Sequence, residues 1–239
     1  MTGPSSDPPT GELEAPAGRS VFTELQDRLP DAEPATVPKW ALAALSRALE
    51  DEYAFQSRAG VALAAFQRER NYRAEERRWR ALAAQAELAV VLADFREPSR
   101  TPVRPIEIPL NEQHPLRREW VLVCDAVGFT ACIAAREFEE RPGGSERERV
   151  FEAIWTMRSD AVRAAARALL AAVEQVLPSL RASVPVRIRD HQTPLEAVAP
   201  RARLELRSRF TQYATGTRSR RRGNPPAGFE DAWSRAEGG

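Results

Sequence analysis

The chain has 239 residues, of which 43% are hydrophobic and 29% are charged. These proportions are typical of a soluble globular protein, and the longest apolar stretches fall well short of the ~20 residues that a membrane-spanning helix needs. The amino terminus is polar and rich in proline, unlike an export signal, and two cysteines are too few for a secreted disulfide framework. The composition therefore argues against a membrane protein and predicts a cytoplasmic chain with one folded domain.

The net charge of +1 hides two ends of opposite sign. Residues 1–38 hold seven acidic side chains and two arginines, whereas residues 201–222 hold eight arginines and Glu205. The amino-terminal residues are too polar to bury much apolar surface, apart from a short helix near residues 21–29. We predict an acidic, mostly disordered arm at 1–37, a folded domain at 38–178 and a basic, partly helical extension at 179–239. The extension is expected to be disordered after about residue 217.

The first predicted elements of the folded domain are a helix and a βαβ unit. Apolar residues recur at helical spacing from Lys39 to Arg58, which predicts a helix with one buried face. The runs GVALAAF (60–66) and LAVVLADF (88–95) are apolar at nearly every position, as in parallel strands covered on both faces. A helix with a separate apolar stripe lies between them. We therefore expect the two strands to pair in parallel through a right-handed crossover.

Short strands follow the βαβ unit. Residues 102–110 contain three prolines, which suits an edge strand. Residues 119–125 and 129–136 are separated by three residues that include Gly128, which predicts an antiparallel hairpin with residue 125 opposite 129. Residues 150–156 alternate in the manner of a further strand.

The second half of the chain contains two predicted helices. The clearer one runs from Ser159 to Leu177, with Ser159 as its cap and Pro178 at its end. A further helix is expected around residues 195–210. The whole pattern predicts a mixed α/β fold: a single three-layer-like domain in which a βαβ unit is followed by antiparallel strands and a carboxyl-terminal helix.

Polar side chains follow both strands of the βαβ unit. Gln67, Arg68 and Arg70 come directly after the first strand, and Asp94 comes at the end of the second. Ligands of α/β proteins usually bind outside the carboxyl ends of parallel strands, so these residues are candidates for a binding site. The alternative interpretation is that they are the ordinary polar ends of buried strands.

Glu50, Asp51 and Glu52 form an acidic group in the last part of the first predicted helix. Two of these carboxylates could serve as an acid and a base, or the group could pair with Arg68 and Arg70. Negative charge near the carboxyl end of a helix opposes the helix dipole, so a compensating arginine is expected. The ion-pair interpretation is therefore favoured.

The cysteines and histidines give no catalytic or metal-binding signature. Cys124 and Cys132 are not opposite each other in the predicted hairpin, so we interpret them as small buried side chains. His114 and His191 lie in proline-containing stretches without a carboxylate at a telling spacing. Motifs for phosphate loops, dinucleotide binding, serine hydrolases and zinc proteases are missing from the sequence. We therefore expect no enzyme activity, cofactor or metal.

The arginine-rich carboxyl-terminal segment is a candidate for contacts with nucleic-acid phosphates. It lacks a helix-turn-helix, zinc-finger or RNA-recognition pattern, so neutralisation by the acidic arm and a simple solvated tail are competing interpretations. The arginines concerned are Arg201, Arg203, Arg207, Arg209, Arg218, Arg220, Arg221 and Arg222.

Five stretches carry a family likeness: SRALEDEYA (46–54), AAFQRERNYR (64–73), RRWRALAAQAELAVVLADF (77–95), LRREWVLVCDAVGFTACIAARE (116–137) and FEAIWTMRSDAVRAAARALL (151–170). In this order they resemble the DICT domain, a sensory domain in diguanylate cyclases and two-component systems. The likeness covers about residues 39–177 and has the same order of elements as the prediction above.

The resemblance implies a non-catalytic bacterial input module that senses a small molecule or docks on a signalling partner such as a kinase, a cyclase or a transcription regulator. We expect either a free-standing sensor or a sensor whose arginine-rich extension is its output surface. The alternative is a nucleic-acid-associated regulatory protein that uses residues 201–222. The family supplies no established ligand residues, so the binding candidates are chosen by position: Glu50, Asp51, Gln67, Arg68, Arg70, Tyr72, Trp79, Asp94, Arg118, Trp120, Asp125 and Trp155.

Overall fold

A mixed β-sheet lies at the centre of the structure, a computed structural model that describes residues 18–56, 60–98, 105–138, 149–189 and 200–218. Within these ranges its seven strands are β1 (Ala35–Pro38), β2 (Val61–Ala65), β3 (Leu88–Ala93), β4 (Ile106–Pro109), β5 (Glu119–Ala126), β6 (Phe129–Glu137) and β7 (Val150–Thr156). They lie side by side in the order β1-β7-β6-β5-β2-β3-β4. Strands β5 and β7 run opposite to the other five.

Helices cover both faces of this sheet. The described helices are α1 (Val21–Arg28), α2 (Lys39–Gln56), α3 (Glu69–Ala83), α4 (Ser159–Val176), α5 (Val186–Arg189) and α6 (Pro200–Arg218). One face of the sheet packs against α2, α3 and α6, where Leu49, Trp79 and Phe210 are buried. The other face packs against α1 and α4, where Phe22 and Leu169 are buried. The predicted three-layer α/β class is therefore confirmed.

The predicted βαβ unit is also confirmed. Strands β2 and β3 pair in parallel, with Val61 opposite Leu88, and α3 connects them. Every residue of β2 and β3 is buried, because helices cover both of their faces. Strand β4 pairs with β3 at the edge of the sheet, where the proline at its last position, Pro109, removes no hydrogen bond from an inner ladder.

The predicted hairpin is present, but its register differs by one residue. Strands β5 and β6 pair with Ala126 opposite Phe129, so that Asp125 faces residue 130 instead of 129. The turn between them has two residues, Val127 and Gly128, whereas the sequence predicted three. Gly128 has a φ of +80°, a conformation that glycine adopts without steric cost, and this allows the shorter turn.

Helix α4 is confirmed, but its predicted cap is wrong. Arg158 is the residue before the first turn, and Ser159 is already helical. The Ser159 hydroxyl lies 3.1 Å from the hydroxyl of Thr130 in β6. Ser159 therefore joins the helix to the sheet, because a buried hydroxyl of the first turn can find a partner in the neighbouring strand.

Packed structure begins upstream of residue 38, where the sequence placed the start of the folded domain. The short helix predicted near residues 21–29 is present as α1, and its Val21 and Phe22 are fully buried. The backbone N–H groups of these two residues donate to Glu119 of β5, at 3.0 and 3.2 Å. A contact between residues so far apart in sequence leaves no local pattern, so periodicity cannot reveal it.

The described part of the basic extension is packed as well. Helix α6 lies along α2, and its Leu206 and Phe210 are buried in the same core cluster as Leu45 and Leu49. The helix predicted at 195–210 is thus observed from residue 200 onward, and the disorder predicted after about 217 falls almost wholly outside the described residues. Among the helices that the structure describes, none has the length and hydropathy that a membrane span requires.

Candidate functional site

A cleft of about 370 Å³ opens at the edge of the sheet where β2 and β6 end and where β5 and β7 begin. These four ends meet because β5 and β7 run opposite to β2 and β6. We call this the edge cleft, and the residues that line it are Gln67, Arg68, Arg117, Arg118, Glu137, Phe138 and Arg149. The structure thus brings together three of the sequence-derived candidates, Gln67, Arg68 and Arg118, at the carboxyl end of the first parallel strand.

Gln67 is the buried residue of the edge cleft, with only 3% of its surface exposed. Its φ is +62°, in the left-handed region that residues with a side chain seldom adopt. Across this residue the Arg68 N–H donates to the Phe66 carbonyl at 2.6 Å, and the Asn71 side chain donates to the same carbonyl at 3.0 Å. Such a backbone conformation costs on the order of 1–3 kcal/mol, which the surrounding contacts must offset.

The side-chain amide of Gln67 is satisfied at one end. Its Oε1 accepts a hydrogen bond of 2.9 Å from Arg149, whose guanidinium also donates to both carboxylate oxygens of Glu137. A guanidinium can only donate, so this contact settles which end of the amide faces Arg149. The Nε2 donor at the other end is buried and has no hydrogen-bond partner among the described residues. Most buried donors have a partner, so this one is unusual.

The other arginines of the edge cleft are less engaged than Arg149. The Arg117 guanidinium lies 3.4 Å from Asp94. Arg68 and Arg118 are exposed at the rim, and their guanidiniums have no hydrogen-bond or ion-pair partner within the part of the chain that the structure describes. Four guanidiniums and one carboxylate give the lining a net charge of +3.

Asp94 supports the start of α3 beside the edge cleft. It follows β3, and its carboxylate accepts a hydrogen bond from the N–H of Glu69, the first residue of α3. Arg68, which precedes the helix, provides no side-chain cap, and a carboxylate at a helix amino terminus is favoured by the helix dipole. Asp94 therefore stabilises the first turn of α3 beside the edge cleft. The candidate Arg70 is exposed on that turn.

Glu50, Asp51 and Glu52, which we call the α2 acidic cluster, lie near the carboxyl end of α2. Arg78 of α3 donates to Glu50 and, at 2.6 Å, to Asp51. The Trp79 indole N–H donates to Glu50 at 3.1 Å. Burial raises the pKa of the Glu50 carboxyl, and the Arg78 ion pair opposes that shift. The acidic cluster is ion-paired, as the sequence favoured, but the predicted partners Arg68 and Arg70 are wrong. The cation from α3 is Arg78, a residue that the sequence pattern did not single out.

Helix α6 supplies two further partners of this cluster. Arg209 donates to Glu52 at 2.9 Å, and the Tyr213 hydroxyl donates to Asp51. Burial and the neighbouring Asp51 raise the pKa of Tyr213. Of the arginines considered for nucleic-acid binding, Arg207 is exposed and Arg209 contacts α2. The side chains of Arg201, Arg203, Arg218, Arg220, Arg221 and Arg222 lie outside what the structure describes.

The other aromatic candidates pack within the fold. The Tyr72 ring meets Phe95 edge to face at 5.7 Å, and burial raises the pKa of Tyr72. The Trp120 indole N–H donates to Ser46 of α2 at 3.0 Å. Trp155 is half-buried against the core cluster on the same face of the sheet. These contacts are those of core side chains and place the three rings outside the edge cleft.

Asp125 lies at the opposite edge of the sheet from the cleft, where β5 ends. It is buried, with Arg187 at 3.3 Å and Arg163 at 3.8 Å. Cys124 and Cys132 are free thiols buried on opposite faces of the sheet, and burial raises the pKa of each. Among the described residues, no group of three or more histidine, cysteine, aspartate or glutamate side chains is arranged to hold a metal ion.

Four residues of the edge cleft were not among the sequence-derived candidates: Arg117, Glu137, Phe138 and Arg149. Arg117 is the neighbour of a candidate, but the other three come from the ends of β6 and β7, far from the βαβ unit in sequence. The signal that could have found them is strand direction. Once β5 and β7 are known to run against β2, their first residues must reach the same edge.

Comparison with protein families gives a match over residues 19–138, which is half of the chain. The matching family is described as DICT, sensory domain in diguanylate cyclases and two-component systems, and the resemblance seen in the sequence is thereby confirmed. The match starts upstream of residue 39, so it includes α1 and β1, and it ends at Phe138 of the edge cleft. Searches of the curated proteins and of the solved structures found no match.

Proposed function

Because this chain belongs to the DICT family of sensory domains, we propose that it is a non-catalytic, cytoplasmic sensor that binds a small molecule in the edge cleft. The volume of the cleft, about 370 Å³, lies within the range of pockets that hold small ligands. The cleft opens beyond the carboxyl end of β2, one of the two strands of the βαβ unit, and the carboxyl ends of such strands are the usual ligand position in α/β folds.

The state of Gln67 is the observation that carries this proposal. One residue combines a strained backbone with a buried donor that lacks a partner among the described residues. Each of these costs stability, on the order of 1–3 kcal/mol, and natural folds keep such costs where they serve a function. A ligand that accepts a hydrogen bond from Nε2 would remove the second cost.

We place the output of the sensor in α6. Helix α3 starts at the edge cleft and carries Arg78 roughly 14 Å further along its axis. Arg78 contacts Asp51, and Asp51 also accepts the hydrogen bond from Tyr213 of α6. If the ligand binds more tightly to a shifted position of α3 than to the present one, α3 moves on binding. This movement would change the contacts of Asp51 and thereby the packing of α6 on α2.

The test is a binding screen on the full chain. Melting temperatures would be measured with a panel of neutral, cationic and anionic metabolites, since a ligand that binds the folded state raises the melting temperature. For each compound that does so, nitrogen-15 NMR would follow the side-chain amide of Gln67 and the backbone amide of Phe138. We expect at least one compound to shift both signals.

Two outcomes would overturn the proposed function. One is that no compound of any charge class binds. The other is that the compounds that bind leave Gln67 and Phe138 unchanged and shift signals elsewhere. The proposed output through α6 is tested separately. The bound compound should change the hydrogen-exchange rates of amides in α6, and the Arg78→Ala variant should weaken that change.

A further inference from the structure

The side chains of the edge cleft offer donors and positive charge, and this indicates the chemistry of the ligand. We infer that the ligand carries an oxyanion, such as a carboxylate or a phosphate, which Arg68, Arg118 and the Gln67 amide bind together. The inference rests on the proposed function, because it assigns a chemical class to the molecule that the edge cleft binds.

The first argument is the balance of charge. The lining has a net charge of +3, and Asp94 beside Arg117 reduces this only in part. Arginines gathered in one cleft repel each other unless an anion lies between them, and a cleft concentrates their field. The α2 acidic cluster shows that this chain can place an arginine against each carboxylate where the charge is structural. At the edge cleft the described residues provide no such anion for Arg68 and Arg118.

The second argument is the inventory of hydrogen-bonding groups. The side chains of the cleft contain two acceptor groups, the Glu137 carboxylate and the Gln67 Oε1, and Arg149 donates to both. The side-chain groups without a described partner are all donors: the Nε2 of Gln67 and the guanidiniums of Arg68 and Arg118. A cationic ligand would meet four guanidiniums and a single lining carboxylate, Glu137, to which Arg149 already donates. An oxyanion has several lone pairs that can accept from all three groups.

The third argument is the position of Nε2. Because Oε1 faces Arg149, the Nε2 donor points away from that arginine, and it is buried in a residue that lines the cleft. The unusual φ of Gln67 belongs to the same turn that leads into Arg68. The strained turn thus carries the buried amide and a rim arginine as consecutive residues that line the same cleft.

Phe138 adds an apolar wall to this lining and is 48% exposed. A ligand with an oxyanion at one end and an apolar or aromatic part at the other would use both features. Suitable probes are therefore benzoate and phenyl phosphate, with benzamide as the uncharged counterpart of benzoate that has the same ring and nearly the same shape.

The experiment measures the affinity of the full chain for these probes by calorimetry and by the NMR signal of the Gln67 side-chain amide. We expect benzoate or phenyl phosphate to bind at least tenfold more tightly than benzamide and to shift that signal. Arg68→Gln and Arg118→Gln should each weaken oxyanion binding at least tenfold, which corresponds to 1.4 kcal/mol. Gln67→Glu should abolish binding, because it replaces the donor with a negative charge while keeping an acceptor for Arg149.

Arg80→Gln is the matched control. Arg80 is an exposed arginine of α3, the helix that Arg68 precedes. Among the described contacts it pairs only within α3, and it lies roughly 17 Å along the axis from the start of that helix. Its replacement removes the same charge from the protein and should leave probe affinity unchanged. An equal loss in Arg80→Gln and Arg68→Gln would show general attraction by the positive surface and would overturn the inference.

The remaining outcomes separate this inference from the proposed function. If benzamide shifts the Gln67 amide as strongly as benzoate, a small molecule binds in the cleft but the oxyanion assignment is wrong. If a neutral or cationic metabolite binds there and the anions do not, the oxyanion assignment is again wrong while the proposed function stands. The ratio of benzoate to phenyl phosphate affinity distinguishes a carboxylate ligand from a phosphate ligand, and inorganic phosphate tests whether the oxyanion alone is sufficient.

Discussion

Two groups of arginines in this protein differ in how their charge is matched. In the α2 acidic cluster, Arg78 and Arg209 meet three carboxylates, and a tyrosine hydroxyl donates to one of these. In the edge cleft, Arg68 and Arg118 have no partner among the described residues, and a buried amide donor beside them is also unpaired there. The first group joins three helices, whereas the second surrounds an open space of about 370 Å³.

This contrast separates structural arginines from ligand-binding ones in a chain that is rich in arginine. A buried charge whose partners all come from the fold contributes to the native structure, and removing one partner is costly. A cation that the fold leaves without a partner contributes little to stability, so its removal should be inexpensive. Stability measurements therefore test the assignment before any ligand is known.

The largest effect is expected for Arg78→Ala. The variant leaves the carboxylate of Glu50, a residue that is only 6% exposed, without its cation. Breaking a buried ion pair in this way costs about 3–5 kcal/mol. Urea unfolding followed by tryptophan fluorescence measures the loss, and Trp79 beside Glu50 gives a local signal. Adding Glu50→Gln should restore more than 1 kcal/mol, because the buried charge is then removed. A single-variant loss below about 1 kcal/mol would place Arg78 with the weakly engaged arginines.

The second effect concerns α6, which contributes Arg209 and Tyr213 to the α2 acidic cluster. Phe210→Ala removes a side chain that is buried between α6 and α2, and we expect the free energy of unfolding to fall by about 3 kcal/mol. Leu204→Ala on the exposed side of the same helix is the control and should change stability by less than about 0.5 kcal/mol. Equal small effects in the two variants would mean that α6 does not belong to the folded core.

The third effect is a pH dependence of stability that we assign to His114, a buried residue. His114 precedes the turn that carries Arg117, its Nδ1 accepts from the Leu116 N–H at 3.2 Å, and burial lowers its pKa. Gly18 covers the ring so closely that a Cβ there would come within 1.9 Å of Nε2. The folded state therefore takes up the His114 proton only at a lower pH than the unfolded state does.

This difference fixes the sign of the pH dependence. As the pH falls below about 6.5, the unfolded chain binds a proton that the folded chain does not, so stability decreases, by at most about 1.4 kcal/mol per pH unit. Unfolding measured from neutral to acidic pH should show this slope, and His114→Gln should reduce it. An unchanged slope in His114→Gln would contradict a buried neutral ring.

Much of the fold follows from local pattern, and the reason is the same at each element. Strands β2 and β3 are covered on both faces, so their sequence is continuously apolar, and α3 between them has an apolar stripe that periodicity detects. Local pattern fails where one residue decides the outcome. The left-handed φ of Gly128 shortens the hairpin turn and shifts its register. The hydrogen bonds that the Val21 and Phe22 N–H groups donate to Glu119 hold α1 against the sheet.

The sequence predicted where the candidate site lies but not all of the residues that form it. The βαβ unit predicts the edge at which Gln67 and Arg68 lie, because parallel strands end there. Arg149 contacts Gln67 from 82 residues away in sequence, and this depends on the direction of β7, which no local pattern gives. Arg78 pairs with Glu50, and the other arginines of α3 do not, because of how α3 packs against α2. This packing is also not a local property of the sequence.

The smallest expected effect is the one that separates the two groups of arginines most directly. The double variant Arg68→Gln/Arg118→Gln should change the free energy of unfolding by less than about 0.5 kcal/mol in buffer without binding anions, since neither guanidinium has a described partner to lose. With benzoate at about 100 times its dissociation constant, the wild-type protein should gain about 2.7 kcal/mol and the double variant much less. A loss of several kcal/mol without ligand would show that Arg68 and Arg118 are structural, like Arg78.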